Sequence, residues 1–146
     1  MRTYCLLMVL AIASLLGADK ARLGTYYNTN PGTTGISKVR ITQDAQTGQQ
    51  YLYIWASCHP RDCYWGRYKI NEYKGYDYLE RRRRLPDGAT WFGSYESVSI
   101  DQGFVERKIW LAKNLRHDDH IRITLESNFK DPSREDYTKR YILKLR

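Results

Sequence analysis

From Gly24 onward, apolar and polar residues alternate with a period of two in short runs, the pattern of strands that bury one face and wet the other. In Ser37-Lys38-Val39-Arg40-Ile41, the valine and isoleucine face one way and the two basic residues the other. Tyr51, Tyr53 and Trp55 share one face of the next run, while Leu52, Ile54 and Ala56 share the opposite one. Val105, Ile109 and Leu111 oppose Phe104, Glu106, Lys108 and Trp110, and Arg107 interrupts the apolar side. Ile121, Ile123 and Leu125 oppose Arg122, Thr124 and Glu126; Tyr137, Tyr141 and Leu143 oppose Thr138, Arg140 and Lys144. The 13 tyrosines and 4 tryptophans of the chain suit such pleated, half-buried surfaces.

Turn chemistry falls between the runs, at Asn30-Pro31-Gly32, Thr47-Gly48, Pro86-Asp87-Gly88, Asp101-Gln102-Gly103 and Asp131-Pro132-Ser133. About eight strands result, most of them joined by links short enough to make sequential strands antiparallel neighbours. With few helical stretches to cover an open sheet, the expected fold is all-β, an eight-stranded antiparallel up-and-down barrel. Closure would remove the edges that invite aggregation. The one longer connection, about Tyr73 to Ala89, carries Arg81, Arg82, Arg83 and Arg84 and is expected to hold a helical turn.

Residues 1–21 read as a secretory signal peptide and 22–146 as a single barrel domain. Arg2 supplies a positive start, and Cys5 through Leu16 form an apolar run shorter than the roughly 20 residues a membrane span needs. Ala11-Ile12-Ala13 matches a cleavage motif, but Ala18 and Ala21 are better placed after the run. No later segment is long and apolar enough to span a membrane, so the expected location is secreted or periplasmic. Removing Arg2, Lys20 and Asp19 takes 24 basic and 16 acidic residues to 22 and 15, a net charge of +7. Such a field favours anionic glycans, phospholipid head groups or nucleic acid. Export disfavours the nucleic acid. Oligomeric state is not set by anything in the sequence.

The opening Gly24-Thr25-Tyr26-Tyr27-Asn28 is similar to the G-T-W-x-N start of avidin-like barrels and, more loosely, to the G-x-W start of lipocalins. The avidin resemblance implies a ligand role for Asn28, but the serine-rich loops and spaced tryptophans of a biotin pocket do not follow. A longer resemblance spans nearly the whole mature chain. Gly24-Thr25-Tyr26, Gly35-Ile36, Trp55-Ala56-Ser57-Cys58-His59-Pro60-Arg61-Asp62-Cys63-Tyr64-Trp65-Gly66, Asp101-Gln102-Gly103-Phe104, Asn128-Phe129-Lys130-Asp131 and Asp136-Tyr137 resemble an uncharacterised family of small exported domains. Its pattern is G-T-W…G-I…W-x-x-C-H-P-x-D-C-x-W-G…D-Q-G-F…F-x-D…D-Y. That resemblance implies a barrel fold and an exported protein, and it implies no particular activity.

Candidate chemistry is concentrated in a few places. Cys58 and Cys63, the only cysteines past the leader, are expected to close a disulfide loop at one rim, with Pro60 in the turn. The alternatives are a metal site of Cys58, His59, Asp62 and Cys63, or a reactive cysteine pair. His59 and Asp62 are candidate acid–base partners, although an Asp at such a position commonly stabilises a turn. His117-Asp118-Asp119-His120 is a candidate cation cluster or a solvated hairpin turn. Arg81 to Arg84 could hold phosphate or carboxylate through two parallel hydrogen bonds each. Tyr51, Tyr53, Trp55, Trp65, Tyr68, Trp91 and Trp110 could line a pocket, or could fill the core and cover the outside. No G-x-S-x-G, H-E-x-x-H, phosphate-binding or dinucleotide-binding motif is present. The expected function is therefore a non-enzymatic exported module that binds an anionic or carbohydrate-like ligand, without a cofactor. A hydrolase built on the 58–63 loop and a module docking on another envelope protein are the alternatives.

Overall fold

A computed structural model of the chain describes residues 21–58, 60–73, 91–114 and 116–146. They form nine strand segments: β1 (Gly24–Asn28), β2 (Ile36–Gln43), β3 (Gln50–Ala56), β4 (Cys63–Lys69), β5 (Asn71–Tyr73), β6 (Trp91–Asp101), β7 (Val105–Asn114), β8 (His120–Phe129) and β9 (Tyr137–Leu145). All paired neighbours are antiparallel, in the order β4-β3-β2-β1-β9-β8-β7-β6-β5. The first and last members of that order are consecutive in the chain, separated only by Ile70. One bent run, 63–73, therefore pairs with β3 through its first part and with β6 through its last. The result is an eight-walled, nearly closed antiparallel barrel, the architecture expected from the alternation.

The bend is held by hydrogen bonds to backbone carbonyls. Ile70 N–H donates to the Gln50 carbonyl at 3.0 Å, and the side-chain Nε2 of Gln49 donates to the backbone carbonyls of Gln50 and Ile70 at 2.8 and 2.9 Å. Ile70 itself is buried, so the corner also contributes to the core.

Alternation decides which side chains fill the barrel. Tyr26, Ile41, Leu52, Ile54, Val98, Ile109, Ile121, Ile123, Leu125 and Leu143 point inward and are buried. Each such aliphatic side chain contributes roughly 1.5–3 kcal/mol relative to exposure. A bulge between Ile36 and Lys38 lets Ile36 and Val39 both face inward, a departure from strict alternation. The middle of the barrel is thus packed with its own side chains.

The described turns fall at the expected positions, and Asx side chains hold them, with Asp44 joining Thr47 and Gly48 in the second. Asp44 Oδ1 accepts from the N–H groups of Gln46 and Thr47, and Asn30 Oδ1 from that of Gly32. Asp101 Oδ1 accepts from Gly103, which sits at a φ of 80°, and Asp131 Oδ1 from Ser133. The Pro86-Asp87-Gly88 turn, the helical turn expected before Ala89 and residues 1–20 of the expected signal peptide 1–21 lie outside the described residues, whereas Ala21 is described and buried against the core. Among the described residues no helix is long and apolar enough to cross a membrane.

Candidate functional site

Strand direction sorts the connections into two ends. The β1–β2, β3–β4, β6–β7 and β8–β9 connections meet at one end, which also carries Cys58 and Cys63. These two cysteines are joined as a disulfide with Cα atoms 5.5 Å apart, within the range such a bond requires. Asp62 is exposed on that loop, and His59 lies outside the described residues. The bond commits both sulfurs, so a thiolate metal set at 58–63 is ruled out for the oxidised protein.

Asn28 sits at the same end, with its side chain bonded to the chain itself. Its Nδ2 donates to the Ile36 carbonyl at 2.7 Å and its Oδ1 accepts from Asn30 N–H at 2.8 Å. Those two bonds tie the β1–β2 connection down and leave the amide one N–H and one acceptor site.

The tyrosines and tryptophans divide between inside and outside. Tyr51, Tyr53 and Trp55 project from the outer face of β3, opposite the buried Leu52, Ile54 and Ala56. Tyr53 and Trp55 stack at 6.4 Å with an interplanar angle of 16°, and Trp55 meets Tyr64 of β4 at 5.1 Å. Basic side chains alternate with them across the sheet. Lys38 is the register partner of Trp55, and Arg40 and Arg67 flank Tyr53 on its two sides. Lys38 Nζ lies 4.5 Å from the Trp55 ring centre, and Arg67 Cζ lies 4.1 Å from that of Tyr51. Tyr27, with Lys144 as its partner on β9 and Arg146 5.7 Å from its ring, extends the same surface.

No acidic residue occurs in β1, β2, β3, β4 or β9, five consecutive strands of the barrel wall. They carry Lys38, Arg40, Arg67, Lys69, Lys139, Arg140 and Lys144. Strand carboxylates are confined to β5–β8, as at Glu72, Glu96, Asp101, Glu106 and Glu126. Among the described strands, the net positive charge is therefore concentrated on one half of the barrel. Lys144 is shared with Asp119 at 3.7 Å, near the end of that half.

Trp65 and Tyr68, by contrast, turn toward the interior and pack against the core. A bulge between Ile54 and Trp55 shifts the β3–β4 register by one residue just there. Gly66 takes a φ of 130°, a conformation L side chains rarely adopt. Tyr68 Oη then donates to the Trp65 carbonyl at 2.6 Å, passing over Gly66.

At the opposite end, the His117 and His120 rings lie 5.7 Å apart. Asp119 is engaged by His120 Nδ1 at 2.7 Å and by Lys144, and Asp118 by Arg22 at 3.5 Å. The bond to His120 holds the Asp119 carboxyl below the usual carboxylate range. Among the described residues no group of three or more His, Cys, Asp and Glu side chains converges as a metal set. The turn itself is organised by Asn114, whose Oδ1 accepts from the N–H groups of Arg116 and His117. Arg81, Arg82, Arg83 and Arg84 lie outside the described residues.

Period-two reading found Tyr53 and Trp55 and identified Arg107 as an anomaly on an apolar face, but it passed over Lys38, Arg40, Arg67 and Lys69 as a set. The available signal was the lack of any acid in the strand sequences. Ser127 was also missed, although it continues the inward series Ile121, Ile123 and Leu125. No family model, curated protein or solved structure matches the chain. What the fold and this face define is a small antiparallel β-barrel with a disulfide at one rim and an aromatic, basic outer surface.

Proposed function

We propose that this chain is an exported, non-enzymatic binding module that holds an anionic, carbohydrate-like polymer on the outer face of β1–β4. The observation that carries the reading is the outer row of Tyr51, Tyr53, Trp55 and Tyr64 interleaved with Lys38, Arg40, Arg67 and Lys69, on strands without a carboxylate. Sugar rings present apolar faces that stack on exposed aromatic side chains, and carboxylate or sulfate substituents pair with Arg and Lys. A low local density of competing carboxylates strengthens that attraction. The leader-like N-terminus and the disulfide support an extracellular or periplasmic setting, in which acidic glycans are more accessible than nucleic acid.

The test is retention of the oxidised protein on a sulfated-glycan resin, compared with immobilised single-stranded DNA. Retention should fall steeply as salt shrinks the screening length from about 10 Å at 0.1 M to about 3 Å at 1 M. Changing Lys38, Arg40, Arg67 and Lys69 together to Ser should abolish it. Trp55→Ala should weaken retention on the glycan more than on a linear polyanion that has no rings. Undiminished retention of the fourfold variant overturns the assignment of this face. Equal retention on glycan and DNA, with no effect of Trp55→Ala, would reduce the face to a general polyanion surface.

A further inference from the structure

The barrel interior at the disulfide end contains polar groups that the packing does not satisfy. Arg107 projects inward from β7 between Val105 and Ile109, both fully buried. In register, Ile100, Arg107, Ser127 and Tyr137 form one row across β6, β7, β8 and β9. Ser127 has 0% exposure, and its Oγ has no hydrogen-bond partner. Directly opposite, Arg107 Nε is buried and likewise unpartnered. The guanidinium bonds Gln102 Oε1 through Nη1 and lies 4.7 Å from the centre of the Trp65 ring. Among the described residues no carboxylate pairs with it.

Buried polar atoms in native proteins are almost always satisfied, so two orphans facing each other call for a partner. Ser127 Oγ can donate, and the Nε edge of a guanidinium offers parallel N–H groups. That combination matches a planar carboxylate. The surroundings are aromatic. Trp65, Tyr68, Tyr137 and Tyr141 are all partly buried against the core, which leaves this end less sealed than the aliphatic middle. Lys139 lies 5.3 Å from the Tyr137 ring and adds a second positive charge nearby. Burial pushes the Tyr68 and Tyr141 phenols up, while the Arg107 charge pulls both down, so the guanidinium is close enough to be felt by both rings.

We propose that the barrel interior at the disulfide end binds a small carboxylate with an apolar or aromatic body. Arg107 and Ser127 hold the carboxylate, and Trp65, Tyr68, Tyr137 and Tyr141 surround the body. This site is separate from the outer glycan-binding face and does not depend on it.

The experiment is titration of the oxidised protein with benzoate, octanoate and inorganic phosphate, followed by calorimetry and by tryptophan fluorescence. Saturable binding of at least one carboxylate, stronger than that of phosphate, is expected. Arg107→Gln should weaken it about 10- to 100-fold, the loss expected for charge-assisted hydrogen bonds. Ser127→Ala should weaken it by a smaller factor, and Arg67→Gln on the outer face should leave it unchanged. Three results would overturn the proposal: no saturable carboxylate binding, phosphate bound as well as either carboxylate, or a folded Arg107→Gln that binds like the parent. If Arg107→Gln does not fold, Ser127→Ala, which removes a single atom, decides the matter, and unchanged binding by that variant also overturns it.

Discussion

Tyr26 is fully buried in the barrel, and its hydroxyl donates to the Arg22 carbonyl at 2.7 Å. Burial pushes the phenol up to about 12 from the usual 10.0, and it outweighs the opposing pull of the nearby Arg22. The folded state therefore prefers the neutral phenol more strongly than the unfolded chain does. Its contribution is fully present below pH 10 and is lost as pH rises toward 12, and two units correspond to roughly 3 kcal/mol. Tyr68 and Tyr141 are raised by burial as well and steepen the same alkaline limb. Tyr26→Phe should cost about 1 kcal/mol at neutral pH through the lost hydrogen bond. It should also make stability less dependent on pH between 10 and 12, as followed by urea unfolding at stepped pH. A parent-like alkaline slope in that variant would show that Tyr26 is not the titrating group. A second single-residue test concerns Gly35, where a Cβ would lie 2.6 Å from Tyr141 Cζ. That ring is wedged against the core and bonded to the Ile36 backbone, so it has little freedom to move. Gly35→Ala should destabilise the protein by about 1–3 kcal/mol through overpacking, visible as a lowered urea midpoint.

At the scale of single elements, the disulfide loop offers the clearest measurement. Cys58 and Cys63 close a very short ring, for which the chain-entropy relation gives about 2 kcal/mol. Changing both cysteines to Ser should lower stability by that order without disturbing the far end of the barrel. Loss of all structure would instead make the loop essential for folding. The strands themselves were legible in the sequence because burial follows a period of two. Leu52, Ile54 and Ala56 read as core and are core, and Ile121, Ile123 and Leu125 behave likewise. What the alternation could not disclose are the register shifts in the β2–β3, β3–β4 and β6–β7 pairs, since a slip in pairing leaves no mark on composition. The bulge at Ile54/Trp55 separates two tryptophans that the sequence places in one aromatic group, with Trp55 outside and Trp65 inside. The outer binding face was half legible. Tyr53 and Trp55 announced themselves by type, but Lys38 and Arg67 belong to strands about 30 residues apart in the chain, joined only by pairing through β3.

For the whole molecule, the decisive feature is how the barrel closes. An eight-walled sheet with nine segments has no ordinary first and last strand, because run 63–73 serves as both. Its first part continues the basic outer sheet, while its last part joins the half that carries the strand carboxylates. The two halves thus meet at Ile70, whose N–H reaches Gln50 while its side chain fills the core. Proline at this position would remove that donor and 4% exposed aliphatic bulk together. Ile70→Ala removes only the bulk and should cost about 2–5 kcal/mol, with the backbone bond intact. The two variants therefore separate packing from closure. If closure is what suppresses exposed edges, Ile70→Pro should form concentration-dependent oligomers and lose amide protection in β3 and β6 first. Ile70→Ala should remain monodisperse at the same fraction folded, with protection lowered evenly. The same behaviour from both variants, in size-exclusion profiles and hydrogen exchange, would mean that the corner acts through its side chain alone and that the backbone seam contributes nothing separable.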